Sequence, residues 1–112
     1  MLALKMTAGS VPETVTIRRE LFLNDCYKEI GCDFIETLNI HTNVGRVLIV
    51  CDEEALVKDR IQEPSVALAD RGIFIHGPCL IFGYNPRRPD DPFTDLTSEA
   101  HSYFTKSPIL VV

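Results

Sequence analysis

A chain of 112 residues that is 46% hydrophobic and 24% charged has the size and make-up of one folded domain, which excludes a disordered segment. Its net charge of −5 opposes phosphate binding, so nucleic acid is not an expected partner. No apolar run nears the ~20 residues of a membrane span, and the opening MLALKMTAGSVPET lacks the apolar core of a secretory signal, so a cytoplasmic protein is expected.

Leu2–Met6 is short and apolar and predicts an opening strand; residues 14–17 have the β-branched bias of a second. From Arg19 the period changes. Phe22, Cys26 and Ile30 fall four apart, with Leu23 and Tyr27 beside them, which predicts an amphipathic helix over about 19–30 that Gly31 ends. Residues 32–40 are extended, residues 41–45 form a turn, and residues 46–51 are the most apolar strand, together an antiparallel hairpin with a five-residue loop.

Residues 52–60 are charged and expected to be irregular. Pro64 suits the first turn of a short helix over residues 64–69, closed by Gly72. Residues 73–82 read as one long strand that Gly77 and Pro78 interrupt, which points to an edge or a bulge. Pro86, Pro89 and Pro92 recur every third position, the polyproline II repeat, so residues 85–93 are expected to form an extended arm. Thr97 is placed to cap a short helix over residues 98–104, and residues 109–112 form an apolar tail that pairs as a strand on its own sheet or on another copy.

The expected fold is α+β: a mostly antiparallel sheet of about five or six strands, one main helix packed on it, and short flanking helices. Residues 1–84 are expected to be a single domain. Residues 85–112 would be an arm, helix and strand open to exchange between subunits of a homo-oligomer.

Residues 31–70 carry eight acidic and three basic side chains, and so hold the whole net charge; the flanking thirds are each balanced. The four cysteines, Cys26, Cys32, Cys51 and Cys79, include no C-x-x-C pair, and reduced thiols are expected.

Four segments carry a resemblance in their order and spacing: residues 1–4, residues 30–36 (IGCDFIE), residues 47–54 (VLIVCDEE) and residues 75–83 (IHGPCLIFG). Over roughly residues 1–84 the chain resembles a small family of phages and mobile elements, catalogued as domain of unknown function thirty-eight forty-six. That resemblance implies an α+β fold and a phage accessory role, and places the protein in the cytoplasm of a host cell. It supplies no mechanism. The chain also departs from the family pattern, with Ala55 after the acidic pair where a glycine is usual. Gln62-Glu63-Pro64-Ser65 stands where an Asn-Arg-Arg-like segment is usual.

Three candidate sites follow. Asp52, Glu53 and Glu54, with Asp59, are the carboxylate cluster; without the regular spacing of a cation loop they suit contact with a basic protein surface. Tyr84 with Arg87 and Arg88 offers a ring to stack on and two guanidinium groups for a phosphate. Cys79 or Cys51 as nucleophile with His76 as base is the enzyme alternative. The leading expectation is a non-enzymatic acidic binding module whose partner is a host protein. The alternative is an oligomeric sequestering protein for a small nucleotide-like anion, and a small Cys/His enzyme comes third. No cofactor or metal is expected.

Overall fold

The computed structural model describes residues 1–55, 64–106 and 109–110. Strand β1 (Leu2–Met6) pairs antiparallel with β2 (Glu13–Thr16), Leu4 opposite Thr14. A 3-10 turn (Arg19–Leu21) then leads into helix α1 (Phe22–Ile30). No side chain caps this helix at its N-terminus; instead Asp25 in its first turn accepts the Arg18 backbone N–H at 2.9 Å and both arms of its guanidinium. At the other end Gly31 sits at φ 76° and donates its N–H to the Tyr27 carbonyl at 2.8 Å, a left-handed stop that glycine enters without a Cβ clash.

The chain continues through β3 (Ile35–Thr42), β4 (Gly45–Asp52), β5 (Pro64–Leu68), β6 (Ile73–His76), β7 (Cys79–Tyr84) and β8 (Phe93–Thr94). Helix α2 (Ser98–Lys106) and β9 (Ile109–Leu110) complete it. The fold is α+β. A six-stranded antiparallel sheet runs β2-β1-β7-β4-β3, with β8 joined to β7; a second sheet runs β6-β5-β9.

Both faces of the large sheet are covered, which explains its apolar runs. On β4, Val47, Ile49 and Cys51 face one core cluster with Val66, Leu68 and Phe104; Leu48 and Val50 face another with Cys26 and Ile30. On β7 the same alternation sends Cys79 and Ile81 to the first and Leu80 and Phe82 to the second. The molecule is therefore layered: α1, then the large sheet, then the small sheet with α2.

Four expectations need correction. The β3–β4 hairpin has two loop residues, Asn43 and Val44, rather than five, because Thr42 pairs with Gly45. The Thr42 hydroxyl supports that turn, donating to the Gly45 carbonyl at 2.7 Å and accepting the Val44 N–H at 3.2 Å. Residues 64–68 form a strand, not a helix. Ser65, Val66, Ala67 and Leu68 are all buried, and a buried strand this short carries no period to separate it from a helix. Pro64 begins that strand, where a missing N–H is tolerated.

Residues 73–82 form two strands in different sheets, not one. Gly77, at φ 76°, turns the chain between them, and β7 has β1 and β4 on its two sides rather than lying at an edge. Finally, residues 85–93 fold back instead of extending. The Asn85 N–H reaches the Pro92 carbonyl at 2.7 Å, and Tyr84 pairs with Phe93. Arg19 holds the loop from outside, through Asp91 at 2.6 Å and the Phe93 carbonyl at 3.1 Å. The Phe93 ring packs on Phe22 and Phe82, with centroids 4.5 and 5.3 Å away. That packing outweighs the polyproline preference of the three prolines, of which Pro86 and Pro89 are exposed and Pro92 is half-buried.

The Thr97 cap is present: its hydroxyl accepts the Ala100 N–H at 3.1 Å. Strand β9 pairs in parallel with β5 of its own chain, Ala67 opposite Ile109. The predicted irregular stretch over residues 56–60, with Asp59, and tail residues 107–108 and 111–112 lie outside the described residues. No helix among the described residues is long and apolar enough to cross a membrane.

Candidate functional site

The β3–β4 pair brings Phe34, Glu36, Asp52, Glu53 and Glu54 to one end of the large sheet. The ladder runs one pair beyond the strand ends, the Glu53 N–H donating to the Phe34 carbonyl at 3.1 Å. Beyond it the chain turns, and Asp52 Oδ1 accepts the Glu54 N–H at 2.9 Å. Asp52 thus shapes the turn, while Glu53 is exposed. Strand β6 approaches from the small sheet. Between the two sheets lies a cleft of about 80 Å³ lined by Glu36, Leu38, Cys51, Asp52, Glu53, Ala55, Phe74, Ile75 and His76.

Two large apolar side chains stand in solvent around this cleft. Phe34 is 57% exposed and Phe74 52%. Alternation puts Phe74 on the outer side of β6, since its neighbour Ile75 is in the core. Phe34 lies one ladder pair beyond β3, past the reach of either core cluster. Scattered exposed leucines are ordinary, but here one exposed phenylalanine lines a carboxylate cleft and a second is bonded through its backbone to Glu53 of that cleft.

The thiols are placed for packing. Cys51 forms part of the cleft wall, its Sγ 3.8 Å from Glu36 Oε1, and burial followed by the Glu36 carboxylate pushes it up to about 12. Cys79 is fully buried and is likewise pushed up to about 12 by burial. The Ser65 hydroxyl donates to the Ile75 carbonyl at 3.0 Å and lies 3.9 Å from Cys79 Sγ. His76 shares the cleft with Cys51 but is on β6, whereas Cys79 begins β7. Neither thiol is poised as a thiolate, the form a nucleophile needs. All four cysteines are buried, and none forms a disulfide with another among the described residues.

Tyr84, at the end of β7, meets a different cation from those expected. The Arg46 guanidinium lies 5.1 Å from its ring centroid, and both residues line a groove of about 190 Å³ with Asp95 and Thr97. Arg87 and Arg88 are exposed in the neighbouring turn and are not part of that groove; Asn85 shapes the turn by accepting the Arg87 N–H at 3.0 Å. Asp91, in the same loop, pairs with Arg19. A third cleft, of about 360 Å³ between β1 and α2, includes Leu2, Leu96, Thr14 and His101, with Thr14 Oγ1 and His101 Nε2 3.1 Å apart.

Sequence reasoning therefore missed Phe34, Glu36 and Phe74 at the acidic cleft and Arg46 beside Tyr84. Phe34 shares the parity of Leu38 and Ile40, so periodicity assigns it to the core. Phe74 and Arg46 come to their sites only through pairing between distant strands. Among the described residues, no group of three or more His, Cys, Asp and Glu side chains is arranged to hold a metal ion.

A family model described as a domain of unknown function (DUF3846) matches residues 1–107, which takes in the residue 85–93 loop and α2 as well as the first 84 residues. No curated protein and no solved structure matches the chain.

Proposed function

We propose that this chain, which belongs to the DUF3846 family, is a non-enzymatic module that binds a basic protein surface through the acidic cleft between β3–β4 and β6. One observation carries the proposal: Phe74, more than half exposed, lines the cleft with Glu36, Asp52 and Glu53, and Phe34, also more than half exposed, is bonded through its carbonyl to the Glu53 N–H. Aromatic groups supply most of the area of a protein contact, and the carboxylates supply steering and selectivity for Lys and Arg. The mobile-element setting implied by the family resemblance makes a host protein the expected partner, met in the cytoplasm, and homo-oligomerisation is compatible with it.

The test is capture of partners from host lysate with the immobilised protein. The captured partner should be lost with Phe34→Ala/Phe74→Ala and with Asp52/Glu53/Glu54→Ala. It should weaken between low and physiological salt, where the screening length shrinks to about 8 Å. It should survive Arg87→Ala/Arg88→Ala. Capture indifferent to all the acidic changes would overturn the proposal.

A small anionic ligand is the second candidate, favoured by the Arg46–Tyr84 contact within the 190 Å³ groove. Native mass spectrometry of the gently purified protein tests it, through a discrete releasable mass that Arg46→Ala abolishes and Asp52/Glu53/Glu54→Ala leaves in place.

A further inference from the structure

The acidic cleft opens onto the free edge of the large sheet. β3 is the terminal strand in the order β2-β1-β7-β4-β3, so among the described residues one side of its backbone has no strand beside it. The residues whose groups face that side follow from the ladder. The Glu53-to-Phe34 bond places residues 34 and 53 in the hydrogen-bonded set, and antiparallel pairing alternates that set by two. Glu36, Leu38, Ile40 and Thr42 therefore bond inward to β4, and Ile35, Thr37, Asn39 and His41 turn their N–H and C=O groups outward. Among the described residues, the one outward group in use is the His41 carbonyl, which accepts from Arg71 at 2.7 Å.

Natural edges of this length are usually guarded by proline, lysine or a bulge. The eight residues IETLNIHT contain neither proline nor lysine, and their pairing with β4 is unbroken from Ile35 to Thr42. Thr37 and Asn39 are exposed. Beside this edge stand Leu38, half-buried, and Phe74, with Phe34 at the strand's start and the carboxylates of Glu36, Asp52 and Glu53 in and around the cleft.

We propose that the free edge of β3 receives an extended segment of the partner protein as an added antiparallel or parallel strand. Its outward amide and carbonyl groups would pair with Thr37 and Asn39. Alternate side chains of the segment face the cleft, where apolar residues meet Phe74 and Leu38 and Lys or Arg residues meet Glu36 and Glu53. The inference rests on the acidic-cleft function and specifies how the partner is held. A second copy of this chain is the disfavoured occupant, because edge-to-edge pairing would bring two copies of the same carboxylates together on chains that each carry −5.

The probe is an eight-residue peptide that repeats valine-threonine-lysine-threonine, acetylated and amidated, so that its valines and lysines share one face; the same peptide is N-methylated at every second residue in each of the two phases. Binding is read by fluorescence anisotropy, and hydrogen exchange is read at Thr37 and Asn39. Pairing predicts that the parent binds, that one methylated phase binds at least about tenfold more weakly than the other, and that exchange at both amides slows. Thr37→Pro should weaken the parent by about tenfold or more. Its lost N–H points away from β4, so the ladder keeps its bonds. If that variant does not fold, the methylated peptides on the unaltered protein still decide.

Equal binding of both methylated phases would mean attraction by charge alone, and would overturn the strand while leaving the acidic surface standing. No binding of the parent peptide would also overturn it. A dimer in sedimentation that Thr37→Pro disperses would assign the edge to a second copy, again overturning it. Failure of the acidic-cleft function itself is read separately, in lysate capture with Asp52/Glu53/Glu54→Ala.

Discussion

Single residues decide where this molecule can and cannot do chemistry. Cys51 and Cys79 are pushed up to about 12 by burial, so at neutral pH almost none of either is thiolate. Iodoacetamide at pH 7 is expected to label neither in the native protein and both in urea; fast native labelling of Cys51 or Cys79 would restore the enzyme alternative. Asp25 shows the opposite effect. Hydrogen bonds from the Arg18 side chain and then its backbone hold its carboxyl at about 2, below the ordinary 3.8. Because the folded value is the lower one, the contribution is complete above about pH 4 and is lost as pH falls towards about 2. Asp25→Asn should therefore lower Tm at pH 6 and flatten its fall across that acid window. An unchanged acid slope in the variant would remove Asp25 from the account.

At the scale of elements, α2 and the β7–β8 pair are secured differently, and so are expected to fail differently. α2 depends on its cap: Thr97→Ala leaves the Ala100 N–H unpaired and should cost about 1 kcal/mol, read as a shifted urea midpoint with the slope unchanged. The β7–β8 pair depends on a missing side chain. A Cβ at Gly83 would lie against the Asp95 carbonyl oxygen, well inside van der Waals contact, with Thr94 on the other side. Gly83→Ala should cost about 1–3 kcal/mol, because backbone rather than a flexible side chain must move. Thr97 was legible as a cap, since the residue type and its position before an amphipathic run are local signals. Gly83 was legible only as a glycine near a turn. Its requirement arises from residue 95, twelve positions away, folding back over it. The same distinction separates β1, α1 and β4, which composition and period locate, from β5, whose helix-like reading gave way to burial between β6 and the sequence-distant β9. Asp52 and Glu53 stood out as a cluster in sequence, but the aromatic half of the site did not, because Phe34 and Phe74 are forty residues apart.

For the whole molecule, the layering makes one prediction that neither helix nor sheet makes by itself. The two core clusters share β1, β4 and β7 but no side chain, because alternate residues of each strand serve opposite faces. A fold with two cores in separate halves would melt in two steps. Here, loss of either outer layer strips one face of the same central strands, so the second core cannot outlast the first. Phe104, fully buried in the layer containing α2, and Phe82, fully buried beneath α1, are equivalent probes of this coupling. Truncating either to alanine should cost about 3–5 kcal/mol. That is a large share of the about 5–15 kcal/mol typical of a domain. The decisive measurement is urea unfolding followed at two tyrosines: Tyr27, packed against the α1-side cluster, and Tyr103, packed against the other. Coincident midpoints in the wild type, Phe82→Ala and Phe104→Ala proteins are expected, with both probes shifting together even when the substitution lies across the sheet. Separate midpoints for Tyr27 and Tyr103 in either variant would show that one face of the central strands survives without the other.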